Sequence, residues 1–175
     1  MSRIRLVVTW SVLLLLGGAP LSAQAQQLGA LCFGSQSLEF LPALVSSARP
    51  VRVSGDGAFS YCMAVERPDV MSATLVVPAF TATLGCGLVE AQTVLSFTWN
   101  TGETSTVIAT TDVHPTSGLV VIEARGTVVQ GLFEGSQAVF TWTAEPPDSL
   151  GCETPGGISA YVGPSSLTIL HTRRE

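Results

Sequence analysis

Residues Leu84–Val129 read LGCGLVEAQTVLSFTWNTGETSTVIATTDVHPTSGLVVIEARGTVV. Three strands and two turns are written in them. From Thr93 to Trp99 the residues alternate, with Leu95, Phe97 and Trp99 on one side and Val94, Ser96 and Thr98 on the other. That is the period of a strand with one buried face. Asn100-Thr101-Gly102-Glu103 is turn chemistry, because asparagine tolerates left-handed backbone angles and glycine adopts them without steric cost. The β-branched run Thr104–Thr111 returns from the turn, so a hairpin spans Thr93–Thr111. After a break at Asp112–Gly118, a third strand places Val120, Ile122, Ala124 and Val128 on one face and Glu123, Arg125 and Thr127 on the other. A meander with one apolar face needs a second layer to cover it.

Working outward, the same grammar recurs. Gln26–Ala30 reads as a short, loosely held start, and Ser37–Phe40 as a first strand. Ser54-Gly55-Asp56-Gly57 has the composition of a turn. Phe59, Tyr61, Met63 and Val65 alternate with Ala58, Ser60, Cys62 and Ala64. Ala73–Val77 reads as a strand ended by Pro78. Beyond the centre, Ala138, Phe140 and Trp142 alternate with Gln137, Val139, Thr141 and Thr143, and Ser166–Leu170 closes the chain with Leu167 and Ile169 inward. No helical period follows residue 25. Short strands separated by glycine and proline predict an all-β fold, an antiparallel β-sandwich or partly closed barrel, in a single domain over 26–175.

Residues 1–25 have the layout of a helical, cleaved signal peptide. Arg3 and Arg5 precede the apolar run Leu6–Leu16, which is too short to span a bilayer, and Ala23-Gln24-Ala25 is an A-x-A cleavage site. The expected product is secreted, extracellular and free of the membrane. The four cysteines, Cys32, Cys62, Cys86 and Cys152, all follow the cleavage site. An even count in an exported chain predicts two disulfides. Of the three possible pairings we favour Cys32–Cys62 with Cys86–Cys152, since each joins segments that can be neighbouring strands or strand ends. No C-x-x-C spacing supports zinc. The formal charge is −5 and the chain has no lysine, which argues against nucleic acid and anionic membrane surfaces as partners.

Catalytic signatures are weak. Asp112 and His114 offer a base with an orienting carboxylate, but no nucleophile motif accompanies them, and turn-forming residues in a solvated loop explain them as well. The carboxylates Glu90, Glu123, Glu134, Glu145, Asp148 and Glu153 contain no pair that the sequence sets face to face for glycoside hydrolysis. Glu123 and Arg125, two apart on one strand face, read as a solvated ion pair. Asp148 and Glu153 flank Cys152 without the spacing of a calcium loop. We expect no catalytic residue, metal or cofactor. Among the rings, Trp99, Trp142, Phe97, Phe140, Tyr61 and Tyr161 are the ones a sugar-binding sheet would use as stacking platforms. Trp99 and Trp142 lie on the apolar faces of their strands, where core packing is the plainer reading. Phe133, between Gly131 and Gly135, is the aromatic placed best for exposure, though it also suits an inward loop anchor. Phe133, Trp99 and Trp142 are therefore the residues named for ligand contact.

Several strings carry a resemblance. Phe97–Val107, FTWNTGETSTV, the segment GTVVQGLFEG at Gly126–Gly135, and Cys152-Glu153-Thr154-Pro155-Gly156-Gly157 followed by Gly163 and Leu167-Thr168-Ile169 resemble segments of small secreted four-cysteine proteins of high-GC Gram-positive bacteria. That family has no assigned activity. The resemblance implies export, disulfides and a β fold, and transfers no site residues. The expected function is a non-catalytic extracellular domain with a structural or protein-contact role. A carbohydrate-binding module for cell-wall or other polysaccharide is the alternative, and a small secreted hydrolase a third.

Overall fold

The computed structural model describes residues 26–86, 91–116, 119–144 and 154–172. The predicted signal peptide lies outside them. Eight strands follow in order: β1 (Gln26–Leu44), β2 (Arg49–Ala64), β3 (Ala73–Leu84), β4 (Ala91–Trp99), β5 (Thr104–Thr116), β6 (Leu119–Gly131), β7 (Gln137–Ala144) and β8 (Ile158–Thr172). Each pairs antiparallel with its chain neighbour, and β8 returns to β1, closing a barrel. The central meander does need a cover, as the sequence implies. The cover is the sheet itself, curled until its apolar face becomes the interior. Of the two expected architectures the barrel is the one formed, and it is closed rather than partly closed.

The inside is apolar. Phe59, Leu75, Phe97, Trp99, Val107, Val128, Phe140, Trp142, Leu167 and Ile169 are all buried in one core. The hairpin is β4–β5, with Thr98 opposite Thr104. The outer face carries Thr74, Thr98, Arg125, Thr127 and other polar residues. The same face also exposes large apolar side chains, among them Phe33, Tyr61, Val76, Ile108 and Val162, so the outside is mixed while the inside is apolar.

Three local expectations are corrected. Gln26–Ala30 is paired strand, with Gln26 opposite Thr172, not a loose start. Ser54-Gly55-Asp56-Gly57 is not a turn, because β2 runs through it. Gly55 is there because β1 passes so close that a Cβ would meet the Ser37 carbonyl oxygen at 2.4 Å. Pro78 does not end β3. The register moves from Val53 opposite Phe80 to Gly55 opposite Val77, so Pro78 and Ala79 face one residue, Ser54. Such a bulge is where a strand tolerates a residue with no N–H. It also shifts the inward set of β3 from Ala73, Leu75 and Val77 to Leu84. A second bulge, at Ser60, does the same to β2: Phe59 points in, whereas Tyr61 and Met63 point out and Cys62 and Ala64 point in.

The disulfide Cys32–Cys62 joins directly opposed residues of β1 and β2 inside the barrel. Cys86 is also disulfide-bonded. Its expected partner, Cys152, lies outside the described residues.

Candidate functional site

The two ends of the barrel differ. At one end β1 begins and β8 finishes, and the 65–72, 100–103 and 132–136 connections lie there. This end is a sealed floor. Gly131, Phe133 and Gly135 all take positive φ, and the resulting loop folds Phe133 inward, leaving it 8% exposed. Its ring meets Trp99 edge-on at 5.3 Å and lies 5.8 Å from His171. The Trp99 Nε1–H donates to Ser105 Oγ at 2.8 Å, and Ser105 in turn donates to the Leu132 carbonyl. Outside this plug, Asn100 Oδ1 accepts from the backbone N–H of Met71 at 2.8 Å. Arg67 bridges Asp69 at 2.9 Å and Glu103 at 2.6 Å. The Arg67 guanidinium holds both carboxyls below their usual range and is itself raised.

The other end holds a cavity of about 90 Å³. Its walls come from all strands but β8, with Leu38, Phe40, Leu95, Val113, Ile122 and Trp142 among them. Among the described residues none of its lining is charged, and its polar groups come from Gln36, Thr93, Thr111 and the indole of Trp142. β3 leaves β4 early toward this end: among the described residues the two pair from Ala73–Trp99 to Val76–Ser96. A cavity needs about 10–15 Å³ to take one water, so this one has room for an organic molecule of several heavy atoms. Eight-stranded barrels either fill their interior with side chains or hold one small ligand there. This one fills its interior at the floor and leaves a cavity at the other end.

Two other side chains mark the rim. Tyr161 packs edge-on to Phe40 at 5.5 Å, and burial pushes its phenol up to about 12. Arg49, at the start of β2, donates from Nη2 to the Ala43 carbonyl and fixes the β1–β2 turn.

The residues named from sequence fall as follows. Trp142 lines the cavity, Trp99 and Phe133 form the floor, and all three are inside the barrel. The position best placed for exposure, Phe133, is the plug, since its left-handed backbone turns the ring under the barrel. Phe97 and Phe140 are core, and Tyr161 is buried. Tyr61 is exposed on the outer wall, opposite Phe33, which is exposed too. Asp112 and His114 lie within β5, not in a loop, and face Glu123 and Val121. Glu123 is bonded to Arg125, as expected. Glu90, Glu145, Asp148 and Glu153 lie outside the described residues. No group of three metal-ligating side chains exists among the described residues.

The sequence reading missed Gln36 and His171. His171 Nδ1 lies 2.7 Å from Ser136 Oγ, and Ser136 is buried in the floor. No family model matches the chain, and no curated protein or solved structure is found to be similar to it.

Proposed function

We propose that this protein is a secreted, non-catalytic receptor that takes a small apolar molecule into the open end of its barrel. The observation that carries the reading is the apolar, uncharged cavity of about 90 Å³ above a floor sealed by Trp99 and Phe133. Burying apolar ligand surface there yields about 25 cal/mol per Å², before the costs of association. Export is supported by the A-x-A site after an apolar run, by the paired cysteines, and by the resemblance to secreted four-cysteine proteins.

The test is calorimetric titration of residues 26–175 with toluene, for the wild type and Ala82→Leu. Ala82 lines the cavity and is half-buried, so leucine fills space. The expected result is saturable binding by the wild type, lost in Ala82→Leu while its melting temperature is kept or raised. Absence of apolar binding, with retention on a cell-wall polysaccharide that Tyr61→Ala abolishes, would overturn the reading. It would make the outer Phe33–Tyr61 face the working surface.

A further inference from the structure

The wall of the cavity is not uniformly apolar. Gln36 of β1 points inward and is 4% exposed. Its neighbour on one side is Gly57 of β2 and on the other Gly163 of β8. Directly opposed positions on adjacent strands lie about 5 Å apart. With glycine on both sides, this one long polar side chain stands in a recess of the barrel wall. Trp142 Nε1 faces the same place, since it lies 3.0 Å from where a Cβ on Gly163 would stand. Ser165 is the next inward residue of β8 and is paired with Trp142.

Three buried polar atoms on adjoining strands have no hydrogen-bond partner among the described residues: Gln36 Oε1 and Trp142 Nε1, whose residues line the cavity, and Ser165 Oγ on the β8 residue paired with Trp142. Trp142 is 1% exposed and Ser165 6%. A buried donor or acceptor left unmade is costly, so adjoining strands that carry three are arranged for something that bonds them. Their chemistry selects it. The indole N–H only donates, the Gln36 carbonyl oxygen only accepts, and the serine hydroxyl does both. Among the described residues no cation lines the cavity, so an anionic group entering it would be desolvated without compensation there.

We propose that the ligand carries a neutral group that both donates and accepts, a hydroxyl above all, and enters with that group first. The hydroxyl oxygen accepts from Trp142 Nε1–H and its proton is given to Gln36 Oε1, with Ser165 as the third partner. This inference rests on the reading of the barrel as a receptor for apolar molecules, and it names the ligand class as apolar alcohols or phenols.

The test compares three ligands that share one ring: toluene, p-cresol and p-toluate. Each is titrated into the wild type, Gln36→Leu and Ser165→Ala. Leucine keeps bulk at position 36 and removes the amide, while alanine removes only one oxygen. The wild type is expected to bind p-cresol at least tenfold more tightly than toluene. Gln36→Leu is expected to lose that preference through weaker p-cresol binding, with toluene affinity kept. Should Gln36→Leu fail to fold by circular dichroism, Ser165→Ala decides the point by the same loss of preference.

Equal binding of toluene and p-cresol by the wild type would overturn the head-group assignment while leaving the apolar receptor standing. So would tightest binding of p-toluate, which would move the polar contact to Arg49 at the rim. Failure of all three ligands to bind would remove the receptor reading itself.

Discussion

Tyr161 shows how one side chain ties the rim of the barrel to pH. Its ring is packed between Phe40 and Trp142, at 5.5 and 6.1 Å, and burial alone raises its phenol to about 12. An unfolded tyrosine loses its proton near pH 10. Between about 10 and 12 the folded chain therefore holds a proton that the unfolded chain releases. The stability that the neutral phenol supplies is complete below pH 10 and is lost as pH climbs through that window. Thermal melts in alkaline buffer should show this decline in the wild type, and Tyr161→Phe should flatten it. An equal decline in both would assign the loss to other groups. Phe133 illustrates the same dependence on surroundings. Its φ of +66° is rare for a bulky residue, and here the glycines on either side of the loop and the Trp99 ring beneath impose it.

Strands differ from residues in how far the sequence reveals them. The β4–β5 hairpin is legible because an Asn-Thr-Gly turn separates two runs whose period never slips. The inward set Leu95, Phe97 and Trp99 is buried as the alternation says. β7 is legible for the same reason. β2 and β3 are not, because a bulge in each changes which parity points inward, and no residue type announces a bulge. The glycines of 54–57 have the composition of a turn yet serve a close strand crossing, and Pro78 has the character of a stop yet sits in a bulge. The cavity was equally hidden. Its polar recess depends on Gln36, Gly57, Gly163, Trp142 and Ser165 meeting across four strands, and only the register brings them together. The pairing of Cys32 with Cys62, by contrast, was correctly inferred from neighbouring segments. That staple closes a loop of 30 residues, worth about 3.6 kcal/mol in the chain-entropy picture. Replacing both cysteines by serine should lower the unfolding free energy by roughly that amount in urea. A change below about 1 kcal/mol would show that β1 and β2 are held by their ladder alone.

At the scale of the molecule, the barrel puts its aromatic rings indoors. If the first 25 residues are removed on export, Trp99 and Trp142 are the remaining tryptophans, and both are buried. Emission from residues 26–175 should therefore be blue-shifted and resist acrylamide and iodide. It should also be unmoved by cell-wall polysaccharide. On the receptor reading toluene should perturb it through Trp142, which lines the cavity, and not through Trp99, which belongs to the floor. Red-shifted emission that quenches freely would contradict the closed barrel.

The closure of β8 on β1 has a practical side. Gln26 and Thr172 are directly paired, and both stand at the floor, with the whole height of the barrel between them and the mouth. A tag, a fused partner or a surface linker attached at either position would hold the molecule upright with its opening facing the solution. On the receptor reading, immobilisation through Gln26 should leave toluene binding unchanged relative to immobilisation through Thr172.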